Sequence, residues 1–217
     1  MTEREQWLEK RKGGIGGSEA SSIVGVNRWK DNVTLWEEKT GRREPADLSN
    51  NDAVQFGTNI EPLMRGMFEL LFPQYDVEYD EFGMVANIPE YPELFATLDG
   101  TLTHRATGKR GVFEAKSTTI RRKADWEQWK DRIPDYYYTQ ALHALNATGY
   151  EFLILMAFII SRPLDEPENV ERTRVSIQFY EIWAKDVQED IAHLRRKEIE
   201  FLHCMKNDIR PSGVISF

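Results

Sequence analysis

The sequence predicts a mixed α/β domain in which helices flank a largely continuous central β-sheet. Three observations favour this class. Helical patterns fill the first third of the chain, strand-like segments crowd its middle, and a helix, two strands and a long helix complete it. A chain of 217 residues is long enough for a substantial core, so we expect residues 1–217 to form a single domain.

Short helices open the chain. A polar helix is expected over residues 3–12, and Ser18 suits the N-cap of a second helix over residues 19–24. Thr34–Glu37 resembles a capping box and predicts the start of a third helix. A glycine is common just past the end of a helix, and each of these segments is followed by one: Gly13, Gly25 and Gly41.

A long amphipathic helix is predicted over residues 53–72. Its apolar residues recur at the i, i+3, i+4 spacing of one helix face: Ile60, Leu63, Met64, Met67, Phe68 and Leu71. Pro73 ends the helix, and Pro62 predicts either a kink or a fresh start inside it. Glu61 falls on the flank of the apolar stripe, beside that break.

The rest of the chain is predicted to alternate strands and helices. A meander of strands is expected over 77–82, 83–87, 95–98, 101–104 and 110–117, with a turn at Thr107–Lys109. Helices follow over 124–132 and 134–147, then a buried strand over 152–160, a Pro-rich loop over 162–171, an outer strand over 173–183 and an amphipathic helix over 185–207.

Composition excludes several classes of protein. Apolar content of 41% and charged content of 29% are typical of a soluble globular domain. The longest apolar run, residues 152–160, is far shorter than the ~20 residues that a membrane span needs. The N-terminus is too charged for a signal peptide, and Cys204 alone cannot form an internal disulfide. We therefore expect a cytoplasmic protein with no membrane partner.

The metal-binding chemistry open to the chain is also limited. One cysteine and four scattered histidines argue against a zinc or iron–sulfur centre within the chain, and His193 and His203 are expected on the surface of the last helix. Oxygen ligands are the alternative, and they favour Mg²⁺ or Mn²⁺.

The net charge and the distribution of basic residues point in opposite directions on nucleic-acid binding. The net charge of −8 argues against a simple basic DNA-binding module. Basic residues nevertheless cluster at 10–12, 121–123 and 195–197. A solvated surface is the plain interpretation of each cluster, but Arg121, Arg122 and Lys123 directly follow a strand with a distinctive set of charged residues.

That strand carries Glu114 and Lys116, whose i, i+2 spacing places both on one face while Ala115 points to the other. Asp99 follows the apolar segment 95–98, and a hairpin would bring it beside them. Two carboxylates edged by an ammonium can bind a divalent cation and activate a water, which predicts metal-dependent cleavage of a phosphodiester. A structural ion pair is the alternative, but buried carboxylates at the ends of apolar strands would be costly without a function.

These residues, with Gln140 on a following helix, resemble the PD-(D/E)xK nuclease superfamily. The segments Gly16–Ser21 and Gly57–Pro62 narrow the resemblance to the YqaJ-type viral recombinase, or phage lambda exonuclease-like, family. It runs from about residue 11 to residue 160 and implies a restriction-endonuclease-like core. The chain departs from the family pattern at Leu98, where the superfamily name has proline, and at Ala144, where many relatives have tyrosine.

The resemblance implies roles for individual residues. Asp99 and Glu114 would ligate the metals together with the carbonyl of Ala115, and Glu61 would assist at a second metal. Lys116 would orient or help deprotonate the attacking water.

At the DNA end, the resemblance implies that Gln140 steadies the site and that Arg11 and Ser18 bind a terminal 5′-phosphate. A helix N-terminus at Ser18 would suit an anion. The basic residues Arg121, Arg122 and Lys123 are candidate DNA contacts.

The function implied by the resemblance is a 5′-to-3′ exonuclease that uses two Mg²⁺ ions, with Mn²⁺ as substitute, and degrades linear double-stranded DNA to leave 3′ single strands for phage-type recombination. Its implied partners are other copies of itself in a ring, a trimer in relatives, and a single-strand annealing protein in a bacterial host. A PD-(D/E)xK endonuclease and a catalytically idle DNA-binding or assembly protein are the alternatives.

Two groups of aromatic residues have open roles. Tyr136–Tyr138 offer rings on which bases can stack, whereas such a run more commonly packs one ring in the core. Trp126 and Trp129 are expected mainly to pack in the core, with a DNA-facing helix as the alternative.

Overall fold

A five-stranded mixed sheet forms the centre of the computed structural model, which describes residues 1–162 and 169–214. The strands lie in chain order across the sheet: β1 (Tyr75–Glu78), β2 (Gly100–His104), β3 (Arg110–Ile120), β4 (Phe152–Ser161) and β5 (Arg174–Trp183). Only β3 and β4 pair in parallel; the other neighbours are antiparallel. The predicted mixed sheet is therefore confirmed.

Seven helices accompany the sheet in the described ranges. They are α1 (Glu3–Lys12), α2 (Gly17–Ile23), α3 (Asn32–Lys39), α4 (Asp52–Leu71), α5 (Lys123–Trp126), α6 (Asp135–Thr148) and α7 (Gln188–Lys206), with a 3₁₀ turn at Ala184–Asp186. No helix among the described residues is both long enough and apolar enough to cross a membrane.

Strand β4 is apolar on both faces because helices cover the sheet on both sides. Leu153 and Leu155 pack in a cluster with α6, whereas Phe152 and Met156 pack with α4. This burial explains a continuous apolar run in place of alternation. The parallel pairing of β3 and β4 requires a crossover, and α6 lies in the segment that provides it. The crossover sets α6 over β3, where the charged residues lie.

The ends of two short helices differ from the predictions. The N-cap of α2 is Gly16, not Ser18; its N–H is bonded to the side chain of Glu19 at 2.9 Å, and Ser18 lies in the first turn. The N-cap of α3 is Asp31, whose carboxylate accepts from the N–H of Thr34 at 2.7 Å. Glu19 thus accepts from the N–H of the N-cap residue of α2, and Asp31 accepts from a first-turn N–H of α3. Both helices therefore start earlier than the hydroxyl residues suggested.

The long helix α4 continues through Pro62 without a fresh start. Its apolar stripe is only half buried: Met64 and Phe68 are in the core, but Leu63 is 70% and Leu71 54% exposed. The stripe is wider than the face that the sheet can cover.

The predicted strands 83–87 and 95–98 do not form. Their contact is an isolated bridge between Val85 and Ala96, beside a second bridge between Ile15 and Leu94. The first strand of the sheet is 75–78 in place of the predicted 77–82. The short apolar segments in this region form an ordered loop. Isolated β-bridges connect them in place of the continuous hydrogen bonding of a β-sheet.

The predicted helix 124–132 also shrinks, to the single turn of α5, and the chain has a positive φ of 57° at Asp131. The other predicted elements are confirmed to within a few residues. Of the predicted Pro-rich loop, residues 163–168 lie outside the described part of the chain.

Candidate active site

Glu114 and Lys116 form the centre of the site, on the face of β3 that α6 covers. Lys116 Nζ lies 2.5 Å from Glu114 Oε1, and the two side chains are 17% and 3% exposed. The i, i+2 spacing of the strand produces this pairing, as the sequence predicted. A charged pair this deeply buried costs desolvation free energy, so its place in the middle of a sheet needs compensating partners.

Asp99 provides one link to that pair through the sheet register. It directly precedes β2, and the antiparallel pairing of Gly100 with Phe113 sets it beside the next residues of β3. Its Oδ2 accepts a hydrogen bond from the N–H of Ala115 at 2.8 Å. The predicted proximity of Asp99 to Glu114 and Lys116 is present.

Gln140 approaches the pair from α6, where its Nε2 donates to Glu114 Oε1 at 2.7 Å. The same oxygen therefore meets an ammonium and an amide N–H. The start of α2 also comes close, since a Cβ added at Gly17 would lie 3.1 Å from Gln140 Cγ. A side chain at position 17 would push Gln140 aside by a few tenths of an ångström, so glycine favours this close approach.

Electrostatics in the site follow from burial and repulsion. Burial raises the pKa of Glu114 to about 7; Lys116 opposes the shift, while Asp99 and Glu61 reinforce it. Burial disfavours the ammonium of Lys116, but attraction to Glu114 and Asp99 outweighs burial and raises the pKa of Lys116. The lysine therefore stays charged at neutral pH, between carboxylates that repel one another.

Glu61 extends this acidic group from α4. Burial and then repulsion by Asp99 raise the pKa of Glu61, while Arg65 opposes the shift. Arg65 Nη1 lies 3.4 Å from Glu61 Oε1 and also donates to the main-chain carbonyl of Asp99. Its guanidinium carbon sits 3.6 Å from the centroid of the Tyr79 ring.

Sequence reasoning missed Arg65, although its i+4 spacing from Glu61 placed the two on one helix face. Only the structure shows that the same guanidinium reaches Asp99.

The carboxylates of Glu61, Asp99 and Glu114 are the type of ligand that a hard divalent cation prefers, although their oxygens are hydrogen-bonded or ion-paired to other groups in this structure. In the described ranges, no group of three or more His, Cys, Asp or Glu side chains is arranged to hold a metal ion. Lys116 pairs with Glu114 and Arg65 with Glu61, while neutral donors, the amide of Gln140 and the N–H of Ala115, bond to Glu114 and Asp99. Repulsion among Glu61, Asp99 and Glu114 is what a bound cation relieves, and carboxylate oxygens are its preferred ligands.

The predicted 5′-phosphate residues lie near the site but do not touch its carboxylates. Arg11 Nη1 donates to Thr97 Oγ1 at 3.4 Å, two residues before Asp99, and its guanidinium lies over the Trp7 ring at 4.6 Å. Ser18 is exposed in the first turn of α2. Because Gly16 is the N-cap of α2 and Ser18 lies inside the helix, the prediction that Ser18 caps this helix is wrong.

The basic cluster follows β3 away from Lys116. Arg121 and Arg122 are exposed, and Lys123 is the first residue of α5. The neighbouring tryptophans pack inward: Trp129 is buried and Trp126 packs against the same core cluster. Core packing is therefore confirmed for both, and the DNA-facing helix is not.

A buried His–Glu pair behind the site was not predicted. His143 Nδ1 lies 2.6 Å from Glu198 Oε1, and its Nε2 lies 2.8 Å from the carbonyl oxygen of Phe95. A carbonyl only accepts, so Nε2 carries a proton. Both side chains are fully buried, and they tie α6 to α7 and to the loop that leads to Asp99. In contrast, His193 and His203 are exposed as expected.

Comparison with known proteins places this arrangement among relatives. A family model described as "YqaJ-like viral recombinase domain" matches residues 6–151. Over 149 residues the chain is 32% identical to the uncharacterized protein YqaJ of Bacillus subtilis strain 168. That alignment covers 69% of this chain but 44% of the relative, so the chain spans less than half of that protein's length.

Solved structures show the same fold. The chain is similar to the alkaline exonuclease LHK-Exo of Laribacter hongkongensis, with a TM-score of 0.64, 19% identity and 94% of each chain covered. The complex of LHK-Exo with dAMP matches with a TM-score of 0.64, 18% identity and the same coverage. The predicted restriction-endonuclease-like α/β fold is confirmed. With two thirds of its length matched by the family model and a Bacillus relative above 30% identity, the chain belongs to the family of YqaJ-like viral recombinase domains.

Proposed function

We propose that this chain is a Mg²⁺-dependent exonuclease that degrades linear double-stranded DNA from 5′ to 3′ and leaves 3′ single strands for recombination. The observation that carries the proposal is the set of Asp99, Lys116 and the buried Glu114, joined by Gln140 from α6. Acidic oxygens beside a charged ammonium suit hydrolysis of a phosphodiester better than any structural role that a surface pair could fill.

Asp99, Glu114 and the carbonyl of Ala115 would hold the metal, and Glu61 would assist a second ion from α4. When bound, the two Mg²⁺ ions, or Mn²⁺ in their place, supply Lewis-acid stabilisation of the phosphate and lower the pKa of water. Lys116 would leave its pairing with Glu114 to orient the attacking water and to stabilise the negative charge on the phosphate. Gln140 would hold Glu114 in place for ligation.

The comparisons support this chemistry by analogy. The matching family is described as recombinase domains, and a structure of the same fold is an alkaline exonuclease that has been solved with a nucleoside monophosphate. A nucleoside monophosphate is the kind of product that stepwise cleavage of a DNA strand releases.

Polarity depends on recognition of the 5′ end. Arg11, Ser18 and Gln140 lie around the start of α2 and would contact a terminal 5′-phosphate, with Arg11 giving a charge-assisted hydrogen bond. Arg121, Arg122 and Lys123 would contact the backbone of the strand. The carboxylate of Glu19 also lies at this helix end, but it is paired with Lys39, whose Nζ lies 2.7 Å from Glu19 Oε1. Arg11 would therefore supply the positive charge that attracts the phosphate.

The proposed assembly is a ring, a trimer as in relatives of the family, in the cytoplasm of a bacterium that carries the gene on a phage or prophage. A ring reconciles a net charge of −8 with a basic inner surface. A single-strand annealing protein would receive the 3′ strand. Sedimentation of the purified chain with and without duplex measures the assembly directly.

Two alternatives differ in what they do to DNA. An endonuclease on the same fold would cut DNA without a free end, and an idle assembly protein would bind DNA without cutting it. The intact ion pair of Glu114 and Lys116 argues against the idle protein, since a costly buried pair has no use there.

The experiment that tests the proposal compares linear duplexes that carry a 5′-phosphate or a 5′-hydroxyl, labelled at each end in turn. We expect Mg²⁺-dependent loss of the 5′ label first and a faster rate on the phosphorylated end. Arg11→Ala should narrow the difference between the two ends. Release of the 3′ label first would contradict the proposed polarity, and equal rates on both ends would contradict the phosphate contact.

A further inference from the structure

Three aromatic rings form a continuous row from the protein surface to the active site. The centroids of Trp29 and Tyr136 are 5.3 Å apart, and those of Tyr136 and Tyr137 are 4.4 Å apart. Lys116 Nζ then lies 5.4 Å from the centroid of Tyr137. Trp29, Tyr136 and Tyr137, called here the aromatic row, thus connect solvent with the ammonium that pairs with Glu114.

The outer end of the aromatic row is exposed but well positioned. Trp29 is 73% exposed, although large aromatic side chains usually bury their area. Its backbone N–H donates to Asn27 Oδ1 at 2.8 Å, and Asn27 Nδ2 donates to Ser21 Oγ at 3.0 Å. The loop therefore holds its position before any ligand arrives, which lowers the entropy cost of binding.

The inner end of the row is fixed by the core. Tyr137 packs on the buried Trp129 with ring centroids 5.7 Å apart, and Tyr136 and Tyr137 lie in the first turn of α6. A ligand that follows the row from Trp29 inward is therefore led towards Lys116 and ends at a ring that the core holds in place.

Charges along the row are balanced. Arg28 lies over Tyr136 at 5.4 Å, and the electrostatic neighbours of Tyr136 also include the carboxylate of Asp125. One cation and one anion at the outer end leave little net attraction for phosphate. At this end of the row, binding would then rely mainly on the ring faces.

We propose that the aromatic row binds unpaired nucleobases of the DNA strand that enters the active site. This inference rests on the proposed function. Bases stack on aromatic side chains whatever their sequence. Inside a duplex the neighbouring bases already cover each base, so only an unpaired base has a face to offer. Because Glu114 is only 2% exposed, the scissile strand must leave its partner to reach it, and its freed bases would pass along the row.

The test measures binding of the metal-free protein, in EDTA, to two duplexes that differ only in a single-stranded tail. One tail carries thymine bases, and the other consists of abasic residues with the same number of phosphates. We expect the wild type to bind the thymine tail about tenfold more tightly, equivalent to about 1.4 kcal/mol. Trp29→Ala should abolish this preference without changing the salt dependence of binding, since no phosphate contact is lost.

Two matched variants control the test. Trp29→Phe keeps a ring and should retain most of the preference, whereas Leu70→Ala removes an 84% exposed apolar side chain on α4 and should retain all of it. Equal binding of both tails by the wild type, or an unchanged preference in Trp29→Ala, would overturn the base site. A salt dependence that falls in Trp29→Ala would also overturn it, because the residue would then act through phosphate.

Different experimental results would reject the base site and the proposed function. A protein that cuts DNA with Mg²⁺ but shows no Trp29-dependent preference lacks the base site alone. A protein that shows the preference but never cuts DNA has the base site without the nuclease activity.

Discussion

Asp99 is the residue whose removal tests the metal site with least disturbance, because asparagine keeps its shape and can still accept from the N–H of Ala115. Asp99→Asn should reduce Mg²⁺-dependent cleavage to background and weaken Mn²⁺ binding measured by calorimetry. The metal-free protein should stay folded, since the change relieves repulsion with Glu61 and Glu114. Asp76→Asn, at an exposed carboxylate paired with Arg105 on the edge strand, serves as control. Wild-type turnover by Asp99→Asn would place the metal site elsewhere.

Lys116 should matter for rate more than for metal affinity. Its ammonium now neutralises Glu114, and a bound cation would free it to act on water. Lys116→Ala should slow cleavage by ~10² or more while changing calorimetric metal affinity little. Lys109→Ala, in the exposed turn at the far end of the same strand, should leave both unchanged. A large loss of metal affinity with a normal rate at saturating metal would show that the assigned role is wrong.

Arg65 is predicted to position the acidic group, because one guanidinium contacts both Glu61 and the main chain of Asp99. Groups that orient metal ligands typically contribute 10–100-fold to metal affinity or activity. Arg65→Ala should therefore lower metal affinity or activity by about 10–100-fold. Arg65→Lys keeps the positive charge but lacks the planar guanidinium, so it should recover only part of the metal affinity or activity that Arg65→Ala loses. The measurement is cleavage rate against Mg²⁺ concentration, with the exposed Arg105→Ala as control. A rate curve that matches the wild type would remove Arg65 from the site.

At the scale of elements, the contact between α6 and α7 should make stability depend on pH. Burial opposes the charged form of His143, but Glu198 outweighs burial and raises the pKa of His143 above its ordinary value of 6.5. The folded protein then binds a proton that the unfolded chain releases. This stabilisation is complete below about pH 6.5 and is lost as pH rises through the raised pKa.

Urea unfolding in EDTA at pH values from about 6 to 9 measures the effect. His143→Gln should flatten the fall in stability across this range and lower the free energy of unfolding by about 3–5 kcal/mol at its acidic end, because Glu198 loses its buried partner. Glu114, with its raised pKa of about 7, contributes in the same direction in both proteins and cancels in the comparison. His193→Gln, at an exposed histidine of α7, should follow the wild type. An unchanged pH profile in His143→Gln would mean that the pair does not titrate in this range.

Some contacts of the site could be predicted from the sequence alone, and others could not. Glu114 and Lys116 were predictable because strand alternation is local, and Asp99 because a hairpin fixes its register. Gln140 came from the family resemblance. The pair of His143 and Glu198 was not predictable, since it joins residues 55 positions apart and depends on how α7 packs on α6. Ser18 is not the N-cap because the helix begins two residues earlier, at Gly16, whose N–H is bonded to Glu19, and a glycine offers no capping side chain that the sequence could reveal.

In the whole molecule, the central sheet and the helices on its two faces bring the site residues together from distant parts of the chain. Helices on both faces hold a parallel strand pair in the core, and the crossover helix α6 brings Gln140 to Glu114 from one side. Helix α4 brings Glu61 and Arg65 from the other. Asp99, just before β2, is the third contributor, through its bond to the N–H of Ala115. Three separate segments thus converge on β3, and the site depends on the integrity of the sheet.

The measurement that tests this account most directly is digestion of one plasmid in two forms, linear and covalently closed, with Mg²⁺ and with EDTA. We predict that the wild type degrades the linear form with Mg²⁺, spares the closed circle, and is inactive in EDTA, while Asp99→Asn degrades neither form. Cutting of the closed circle would identify an endonuclease. Intact linear DNA after incubation of the folded wild type with Mg²⁺ or Mn²⁺ would contradict the central claim that Asp99, Glu114 and Lys116 form a nuclease site.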